Sequence, residues 1–492
     1  MYRNPNPANI LVIDVGTSSM RGILYNEFGE RLMSHQIRYH PLHLSDIEVE
    51  QDIDDFKRTL TTIVQTIGEK YKIYAIALTS QRSSIVPVDR DGYPLMNTIM
   101  WQDRRNSQIC EELAQFNDII KAKTGAKVNS VFSGSKMTWI KRHCPHIAAK
   151  TYKYVNIPEY LIHYMTDQYV TDVTYASRSH LMNLKTRQWD DELLDIFGIK
   201  EEELCKIQEV GSICGYLLDE VAKEFGIDGG IPIITSGGDQ QCAAVGNGAC
   251  HEGVLSLVEG TGAFLITQTD TLPETIADNV ICNCASVPGK YTLETNVLTC
   301  GSAYDWCRHT FYGDQAEDYQ LINQELRYEY IQNTSKARVL PYFQGRSTPK
   351  WNPKATATFT NMSLSTTRAE LLRAVLEGIF IELNVNIKQL QKYVDIQEAF
   401  ISGGLTKSSI INQMQSDIFN LPLTLSSDAE STARGALVVA LAGLGICPDV
   451  EFAYQEICGQ DTIMIYQPEA SKHQQYQQII EELEELYKKL YE

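Results

Sequence analysis

The chain has 492 residues, enough for at least two domains with sizeable cores. Its hydrophobic share of 43% and charged share of 21% are ordinary for a globular protein, which excludes disordered, collagen-like and coiled-coil chains. With 43 basic and 62 acidic side chains, the net charge is −19, so the surface repels phosphate backbones and nucleic acid is not expected as a partner.

The apolar segments are too short for a membrane protein. The longest mostly apolar stretch, 436–447, is well below the roughly 20 residues that a spanning helix needs. The first apolar run reaches an acidic residue already at Asp14, so it is too short for the core of a secretory signal. The 12 cysteines are scattered and form no Cys-x-x-Cys pair, which indicates reduced core thiols. We therefore expect a cytoplasmic protein without a membrane partner.

The first predicted element is a β-hairpin. Residues 10–14 have the pattern of a buried strand, a polar turn containing Gly16 follows, and residues 20–25 form the returning strand. The second half repeats this pattern over 254–267, and its turn residue Gly260 follows Gly16 by 244 residues, close to half the chain. A repeat of this period predicts two related lobes with a ligand cleft between them.

Strands alternate with helices between and after the two hairpins. The predicted strands are 74–79, 84–89, 231–235 and 399–401. The predicted helices are 117–122, 137–143, 159–165, 191–197, 369–394 and a charged amphipathic helix at 475–491. This alternation predicts an α/β fold, which we divide into an N-terminal lobe, 1–247, and a C-terminal lobe, 248–492.

The common nucleotide loops are absent from the sequence. It contains neither a Gly-x-x-x-x-Gly-Lys-Ser/Thr loop nor a Gly-x-Gly-x-x-Gly loop after the first strand, and no protein-kinase catalytic loop. The first hairpin turn instead offers backbone N–H groups at Gly16 and hydroxyls of Thr17, Ser18 and Ser19 for phosphate oxygens, with Asp14 for magnesium. An ordinary hairpin turn explains one such motif, but its repetition at the second turn favours ligand binding.

Two further loops that follow predicted strands carry double glycines. The first, Gly237-Gly238-Asp239, lets a backbone approach a ligand and places a carboxylate where it can accept a proton from a hydroxyl. Asp239 can also cap the segment 240–245, and the two roles are compatible. The second, Gly403-Gly404, precedes a predicted helix start, a geometry that accommodates a base or phosphate, although a simple turn is the alternative.

Loops with arginine, glutamine and aspartate can bind a polyhydroxylated ligand. Ser80-Gln81-Arg82-Ser83 and Trp101-Gln102-Asp103-Arg104-Arg105 each follow a predicted strand. Their side chains supply hydrogen-bond donors and acceptors, and a tryptophan can stack on an apolar sugar face. Arg104 and Arg105 can equally form only local salt bridges.

The order of these loops resembles that of the FGGY carbohydrate kinases, from about Ile10 to about Gly445. The segments that carry the resemblance are Asp14-Val15-Gly16-Thr17, Ser80-Gln81-Arg82, Trp101 to Arg105, Gly238-Asp239-Gln240-Gln241, Gly260-Thr261-Gly262 and Ser402-Gly403-Gly404. It implies two actin-like, ribonuclease-H-like lobes that close on MgATP and a carbohydrate. It also implies ATP-dependent phosphorylation of a hydroxyl group on a small sugar, ketose, polyol or sugar acid.

The resemblance implies a role for individual residues. Asp239 would be the general base, and Asp14 and Asp239 would position magnesium. Thr17, Ser18, Ser19 and Arg21 would lie near the phosphates, opposite Gly260, Thr261 and Gly262. Gly301, Gly404 and Ser408 would lie near the nucleoside. Arg82, Ser83, Asp103 and Gln240 would line the carbohydrate site. Positioning and electrostatic stabilisation would supply most of the rate enhancement.

The sequence departs from the glycerol kinases of this family at two positions. They carry Glu where this chain has Ser83 and Tyr where it has Val131, so polar contacts that a triol needs are lost and space is gained. We therefore expect a larger carbohydrate, with glycerol as the second candidate. Asp305 stands where many members carry Gln near the nucleotide, which leaves its role open.

Other functions of an actin-like fold remain as alternatives. An ATP-binding regulatory or chaperone-type protein needs neither the Gly-Asp-Gln loop nor the pair Arg82 and Asp103, and this chain has both. The resemblance also implies a homodimer, since dimers are common in the family and symmetric association is the usual form of oligomer.

Overall fold

The computed structural model describes residues 8–332, 335–426, 430–459 and 463–492. The largest sheet in each half of the chain is mixed and carries helices on its faces. This is the α/β organisation in two lobes that the sequence predicts.

The N-terminal half contains short strands and helices in alternation. Its described strands are β1 (Ile10–Val15), β2 (Ser19–Tyr25), β3 (Arg31–Arg38), β4 (Leu42–His43), β5 (Val49–Gln51), β6 (Ala75–Ser80), β7 (Ile85–Val88), β8 (Thr98–Ile99), β9 (Lys153–Asn156), β10 (Val170–Asp172), β11 (Met182–Asn183), β12 (Gln188–Trp189), β13 (Lys206–Gln208), β14 (Ile213–Tyr216) and β15 (Pro232–Gly238). Its described helices are α1 (Ile53–Gly68), α2 (Ser107–Leu113), α3 (Asn117–Thr124), α4 (Ser133–His143), α5 (Pro145–Ala148), α6 (Ile157–Thr166), α7 (Val173–Ala176), α8 (Asp191–Phe197), α9 (Asp219–Phe225) and α10 (Asp239–Gly246).

The C-terminal half has longer helices. Its described strands are β16 (Val254–Glu259), β17 (Ala263–Thr269), β18 (Ile281–Cys284), β19 (Tyr291–Val297), β20 (Arg338–Leu340), β21 (Thr358–Thr360), β22 (Glu398–Gly403), β23 (Leu423–Ser426) and β24 (Ile463–Tyr466). Its described helices are α11 (Gly301–Tyr312), α12 (Tyr319–Gln332), α13 (Arg368–Leu390), α14 (Ser409–Phe419), α15 (Ser431–Gly443), α16 (Val450–Cys458) and α17 (Ala470–Tyr491).

The two main sheets repeat one topology. In the first, the order β3-β2-β1-β6-β15 combines antiparallel pairing of β1 with β2 and parallel pairing of β1 with β6. In the second, the order β19-β17-β16-β22-β23 has the same arrangement, with β16 antiparallel to β17 and parallel to β22. The internal repeat read from the two hairpins is therefore a repeat of whole lobes.

Strand β1 is apolar on both faces because helices cover both sides of its sheet. Ile10 and Val12 face one core, which includes residues of α10 and α15. Leu11 and Ile13 face the other core, which includes residues of α1. Successive side chains of a strand point to opposite faces, so a strand buried on both sides has a continuous apolar run. Asp14 interrupts this run at the end of the strand.

Helices α10 and α15 cross at close range between the halves of the chain. A Cβ atom added at Gly435 would lie 1.8 Å from the carbonyl oxygen of Cys242, and one added at Gly246 would lie 2.0 Å from that of Ser431. Only glycine allows the two backbones to approach so closely. This crossing holds α10, which begins with Asp239, against the C-terminal half.

Several predicted segments correspond to observed elements. The long helix predicted at 369–394 is α13, and the apolar stretch at 436–447 overlaps α15, which is buried in the core. The predicted C-terminal helix is α17, which docks through Tyr476, Ile479, Leu483 and Tyr487. Across the described ranges, no helix is both long and apolar enough to span a membrane.

Candidate active site

The turn between β1 and β2 borders a polar cavity of about 230 Å³. The cavity is lined by Asp14, Gly16, Ser19, Arg21, Glu430 and Thr432. Both lobes contribute to it, since Glu430 and Thr432 lie at the start of α15. Three of the residues that the sequence assigns to the phosphates or magnesium, Asp14, Ser19 and Arg21, are therefore brought together.

Two further carboxylates and one guanidinium control the charge of Asp14. Burial raises the pKa of Asp14 to about 7, the nearby charge of Asp239 adds to this rise, and Arg21 opposes it. Glu430 also raises the pKa, and its carboxylate forms an ion pair with Arg21 across the cleft. A cation at this position would relieve the repulsion between these carboxylates.

The hydroxyl groups of the first turn have different surroundings. The Thr17 Oγ1 atom accepts a hydrogen bond of 3.0 Å from Trp101 Nε1, so it links the turn to the following loop. Ser18 is exposed, and its carbonyl oxygen accepts a bond from the backbone of Tyr39. The Ser19 Oγ atom accepts from Gln36 and faces the cavity.

Asp239 is the first residue of α10, at the end of β15. Strand β15 shifts its register on β6 between Thr235 and Gly237, and Gly237 has a φ angle of 97°, which favours glycine. A side chain at Gly238 would collide with Arg82, whose Cδ atom would lie 2.7 Å from the added Cβ. The two glycines thus allow the strand to end with Asp239 beside the Arg82 side chain.

The carboxylate of Asp239 remains available for chemistry. Its Oδ1 atom accepts a bond of 2.7 Å from the backbone of Gln240 and lies 3.8 Å from Arg82 Nε. One quarter of the side chain is exposed. Burial raises its pKa, and the positive charge of Arg82 opposes that rise. A carboxylate of this kind can accept a proton. The sequence interpretation of Asp239 as the cap of the helix is wrong, because the cap residue of α10 is Gly238 and Asp239 is the first residue of the helix.

Arg82 is held by a carboxylate from the other lobe. Its Nη1 and Nη2 atoms lie 3.1 and 3.4 Å from the two carboxylate oxygens of Glu294, which is on β19. Arg82 Nη1 also donates to the Gln241 side chain at 3.3 Å. Burial would raise the pKa of Glu294, but Arg82 and Arg178 outweigh it and hold that pKa below its usual range. The ion pair between Arg82 and Glu294 fixes the orientation of the Arg82 side chain beside Asp239.

Ser83 and Gln240 lie next to these residues. Ser83 has a φ angle of 69°, and its hydroxyl donates to the backbone carbonyl of Arg178 at 3.4 Å. The buried Gln240 Oε1 atom has no hydrogen-bond partner within the described part of the chain. An acceptor in that position is free to bind a ligand hydroxyl.

Asp103 departs from the expectation that it faces the carbohydrate. It is fully buried, and its carboxylate accepts bonds from the Arg105 side chain at 2.9 to 3.0 Å and from the backbone of Val49 at 2.6 Å. Arg105 also pairs with Glu50 at 2.9 Å. Asp103 therefore organises the loop after β8 through the local salt bridge that was the alternative for Arg105.

The glycines assigned to the nucleotide side meet at the second hairpin turn. The Gly301 N–H donates to the Gly260 carbonyl at 2.9 Å, and the Gly404 N–H donates to the Glu259 carbonyl at 3.1 Å. A Cβ atom on Gly301 would lie 2.5 Å from the Gly260 carbonyl oxygen. Gly260, Thr261 and Gly404 are exposed. Together they form an open backbone surface at the start of α11.

Two other residues of the nucleotide side have local partners. Ser408 caps α14, and its hydroxyl donates to the side chain of Asn323 at 2.6 Å. It is 7% exposed. Asp305 forms an ion pair with Arg308 at 3.1 Å one turn along α11. These contacts hold the helices that surround the second turn.

The sequence did not identify three charged residues of the site. Glu294, Arg178 and Glu430 contact or flank the residues already described. Glu294 is buried in β19, but the segment 291–297 mixes polar and apolar residues, so its burial carries no local sequence signal. Arg178 and Glu430 carry no such signal either.

Models of one family match most of the chain. The N-terminal domain of the FGGY family of carbohydrate kinases matches residues 9–246, and its C-terminal domain matches residues 255–444. The chain belongs to this family. A glycerol kinase from Thermococcus onnurineus (strain NA1) is 32% identical over 450 residues, which cover 89% of each chain.

Solved structures of carbohydrate kinases share the fold. A ligand-bound xylulose kinase from Lactobacillus acidophilus superposes with a TM-score of 0.90 at 27% identity, covering 98% of each chain. A gluconate kinase from the same organism has a TM-score of 0.90 at 26% identity, covering 99% of this chain and 98% of that one. The chain is thus a carbohydrate kinase that uses ATP, with two actin-like, ribonuclease-H-like lobes.

Proposed function

We propose that this carbohydrate kinase uses Asp239 as the general base and acts on a carbohydrate larger than glycerol. The observation that carries the proposal is the placement of the Asp239 carboxylate, partly exposed at the start of α10 and flanked by Arg82. A carboxylate in reach of a substrate hydroxyl can take its proton as the oxygen attacks the γ-phosphate.

Arg82 and Gln240 bind the carbohydrate in this proposal. Glu294 fixes the Arg82 guanidinium, so little conformational entropy is lost when a substrate oxygen binds. The Oε1 atom of Gln240, which has no partner in the described part of the chain, accepts a hydrogen bond from a second hydroxyl. Ser83 lines the same site, whereas Asp103 acts indirectly by positioning its loop.

The residues around the cavity fit MgATP. Asp14 and Asp239 repel each other, and magnesium, which prefers oxygen ligands and keeps several waters, would compensate both charges. Within the described ranges, no three His, Cys, Asp or Glu side chains form a metal cluster, so most magnesium ligands would be water and phosphate oxygens. Magnesium supplies charge neutralisation on the transferred phosphate.

The remaining phosphate and nucleoside contacts follow from the two turns. Arg21, Thr17, Ser18 and Ser19 contact the phosphates from the N-terminal lobe. The backbone of Gly260, Thr261 and Gly262 contacts them from the C-terminal lobe, with Gly301, Gly404 and Ser408 placed nearer to the nucleoside. The open glycine surface at the start of α11 supports this assignment, since helix N-termini favour anions.

Glycerol is the second candidate substrate. The relatives with curated names at 30 to 32% identity are glycerol kinases. Against it, Ser83 and Val131 replace the larger polar side chains that glycerol kinases carry at these positions. We further propose a homodimer that acts in the cytoplasm, where its cosubstrate ATP is abundant, without nucleic-acid or membrane partners.

The first test replaces the base without changing its shape. Asp239→Asn should lower kcat on the order of 10²–10⁴-fold, because the amide cannot accept the proton. ADP release from MgATP is measured across polyols, ketoses, aldoses and sugar acids, glycerol included. ATP binding and thermal unfolding of the variant serve as controls and should remain close to those of the wild type. Near-normal turnover would refute the role of Asp239.

A second test concerns the substrate side. Arg82→Gln should chiefly raise KM for the carbohydrate. It removes a hydrogen-bond donor that binds the substrate equally in the ground state and in the transition state, and it leaves the base in place. The matched double variant Arg82→Gln, Glu294→Gln also removes the buried carboxylate, which in the single variant loses its nearest cation and keeps Arg178 at 3.7 Å. If KM is unchanged in both variants, the carbohydrate site lies elsewhere.

A further inference from the structure

The peptide group between Gly237 and Gly238 is held on both sides by side chains from other parts of the N-terminal lobe. Its carbonyl oxygen, on Gly237, accepts hydrogen bonds of 2.8 Å from Tyr175 Oη and from Thr79 Oγ1. Its N–H group, on Gly238, donates to Thr174 Oγ1 at 2.9 Å. Thr174 and Tyr175 belong to α7, and Thr79 lies on β6. These three hydroxyls, here called the glycine clamp, fix the plane of one peptide group just before α10 begins.

Asp172 fixes the orientation of the Thr174 hydroxyl. Its Oδ1 atom accepts the O–H of Thr174 and, at 2.7 Å, the N–H of Thr174, and its Oδ2 atom accepts the hydroxyl of Thr235. Because Thr174 donates its one hydroxyl proton to Asp172, a lone pair of Oγ1 remains for the N–H of Gly238. Asp172 and Thr174 are fully buried, and hydrogen bonds are stronger where the local dielectric is low.

The clamped peptide group lies where the strand is irregular. Strand β15 shifts its register on β6 between Thr235 and Gly237, and Gly237 has a φ angle of 97°. Glycine has more backbone freedom than any other residue, so two glycines in succession would let the chain reorient here. Asp239 follows directly, and the direction of its carboxylate therefore depends on this peptide group. Hydrogen bonds from neighbouring elements supply the rigidity that the two glycines lack.

Capping of α7 explains only part of this arrangement. Asp172 is the cap residue of α7, and its side chain accepts from the backbone N–H groups of Thr174 and Tyr175. A cap needs these backbone groups alone. The side chains of the same two residues reach across to β15, where one holds the carbonyl group and the other the N–H group of a single peptide unit. The cap does not account for this convergence.

We propose that the glycine clamp, with Asp172 as its support, aims the Asp239 carboxylate at the substrate hydroxyl. The inference rests on the proposed function, since it concerns how the proposed base is held. The residues of the clamp are positioning residues, because they act through the two glycines and do not contact the substrate. A displacement of a reacting group by about 1 Å can cost on the order of 10²-fold in rate. Loss of the clamp should therefore lower kcat more than it weakens binding of either substrate.

The first test removes the acceptor for the N–H of Gly238. Thr174→Val should lower kcat about tenfold or more, while KM for ATP and for the carbohydrate each stay within about threefold. Thr174→Ser keeps a hydroxyl in this position and should restore kcat to within about threefold of the wild type. Steady-state ADP release is measured with MgATP and the compound of highest turnover among polyols, ketoses, aldoses and sugar acids. A kcat of Thr174→Val close to that of the wild type, or no recovery in Thr174→Ser, would overturn the inference.

Thr138→Val is the matched control for a merely structural effect. The Thr138 hydroxyl is buried and donates to the Phe197 carbonyl at 2.7 Å, so its loss removes a tertiary hydrogen bond of the same kind outside the clamp. The unfolding temperature of Thr138→Val should fall as that of Thr174→Val does, whereas its kcat should stay within about twofold of the wild type. Equal losses of kcat in the two variants would show that turnover follows stability, and the inference would fail.

A double variant tests whether the clamp acts through Asp239. In an Asp239→Asn protein that has lost turnover, the further change Thr174→Val should lower the residual kcat by less than about twofold, because no base remains to be aimed. Losses that multiply in full would mean that Thr174 acts by another route, which contradicts the inference.

The carbonyl side of the clamp offers a second set of variants if Thr174→Val does not fold. Thr79 and Tyr175 each donate to the Gly237 carbonyl, so one can hold it when the other is lost. Thr79→Val and Tyr175→Phe should each lower kcat by less than about threefold, and the double variant should lower it about tenfold or more. A double variant with nearly the kcat of the wild type would refute the clamp.

The outcomes separate this inference from the proposed function. If Asp239→Asn loses turnover but Thr174→Val and the variants at Thr79 and Tyr175 keep it, the proposed function stands and the inference fails. If Asp239→Asn keeps near-normal turnover while Thr174→Val loses it and Thr174→Ser restores it, the proposed function fails and the positioning of this loop by the clamp stands.

Discussion

Asp14 and Glu259 lie near the ends of equivalent strands, β1 and β16, that lead into equivalent turns. Glu259 is one position further along in the repeat, because Val15 and not Asp14 is its counterpart, so the two carboxylates point to opposite faces of their strands. Asp14 lines the polar cavity beside Arg21 and Glu430, and it is electrostatically coupled to Asp239. Glu259 is 1% exposed, and its described side-chain partners include Gln415, which donates to it at 3.1 Å. The same backbone element therefore presents a carboxylate to the cleft in one lobe and encloses it in the other.

This difference shows how a repeated fold can divide its roles. The N-terminal turn contributes charged side chains, as expected where magnesium and a reacting hydroxyl must be placed. The C-terminal turn contributes backbone, since Gly260, Gly262 and Gly301 are packed against each other's carbonyl groups or neighbouring strands. A backbone surface can accept phosphate oxygens without adding a charge of its own.

The largest effect should separate the two carboxylates directly. Asp14→Asn should lower kcat/KM for MgATP on the order of 10–100-fold, because it removes a charge that orients the metal. The matched variant Glu259→Gln should change kcat/KM by less than about threefold, because the side chain of Glu259 is buried and does not reach the cleft. Steady-state ADP release at varied magnesium concentration measures both. Equal losses would end the functional distinction between the turns.

A second experiment compares the glycines of the two turns. In Gly262→Ala the new Cβ atom would lie 2.5 Å from the Val297 carbonyl oxygen, whereas in Gly16→Ala it would lie 3.1 Å from that of Ser19. We expect Gly262→Ala to lower the free energy of unfolding by about 2–4 kcal/mol and Gly16→Ala by about 1 kcal/mol or less. Urea denaturation measures both values.

The control for this comparison lies in the same C-terminal turn. A Cβ atom on Gly260 would meet only the Gly262 carbonyl oxygen at 3.7 Å, an ordinary contact. The free energy of unfolding of Gly260→Ala should therefore lie within about 0.5 kcal/mol of that of the wild type. If it is as unstable as Gly262→Ala, the close approach to Val297 is not the reason why that turn needs glycine.

The last comparison concerns the pH dependence of stability. Burial raises the pKa of Glu259 to about 8, so the folded protein keeps a proton that the unfolded chain loses near its usual pKa of about 4.3. Since the folded state binds more protons, stability should fall as pH rises from about 4.5 to 8 and change little from this group above 8. Glu259→Gln should lack this component. Unfolding titrations of both proteins at pH 5, 6.5 and 8 would show parallel curves if the assignment were wrong.

Local patterns were sufficient to predict the hairpins, the glycine loops and many of the helices. Residues 10–14 and 254–258 are nearly continuous apolar runs, and such runs depend only on neighbouring residues. The repetition of one turn after 244 residues was enough to predict the two lobes. The pattern of the first turn pointed to Asp14 and Ser19 as ligand-binding candidates, whereas Arg21 was expected only from the resemblance to the family.

What the sequence by itself determined was the repeated strand–turn–strand frame and the placement of Asp239 at a strand end. Only the tertiary structure decided that Arg82 binds Glu294, 212 positions away, and that Arg21 binds Glu430, 409 positions away. It also decided that Asp103 accepts hydrogen bonds from Arg105 and that two nitrogens of the buried Arg178 have no acceptor among the described residues. Periodicity describes which face of an element is buried, but the partner of a buried charge is set by the packing of elements that are distant in the chain.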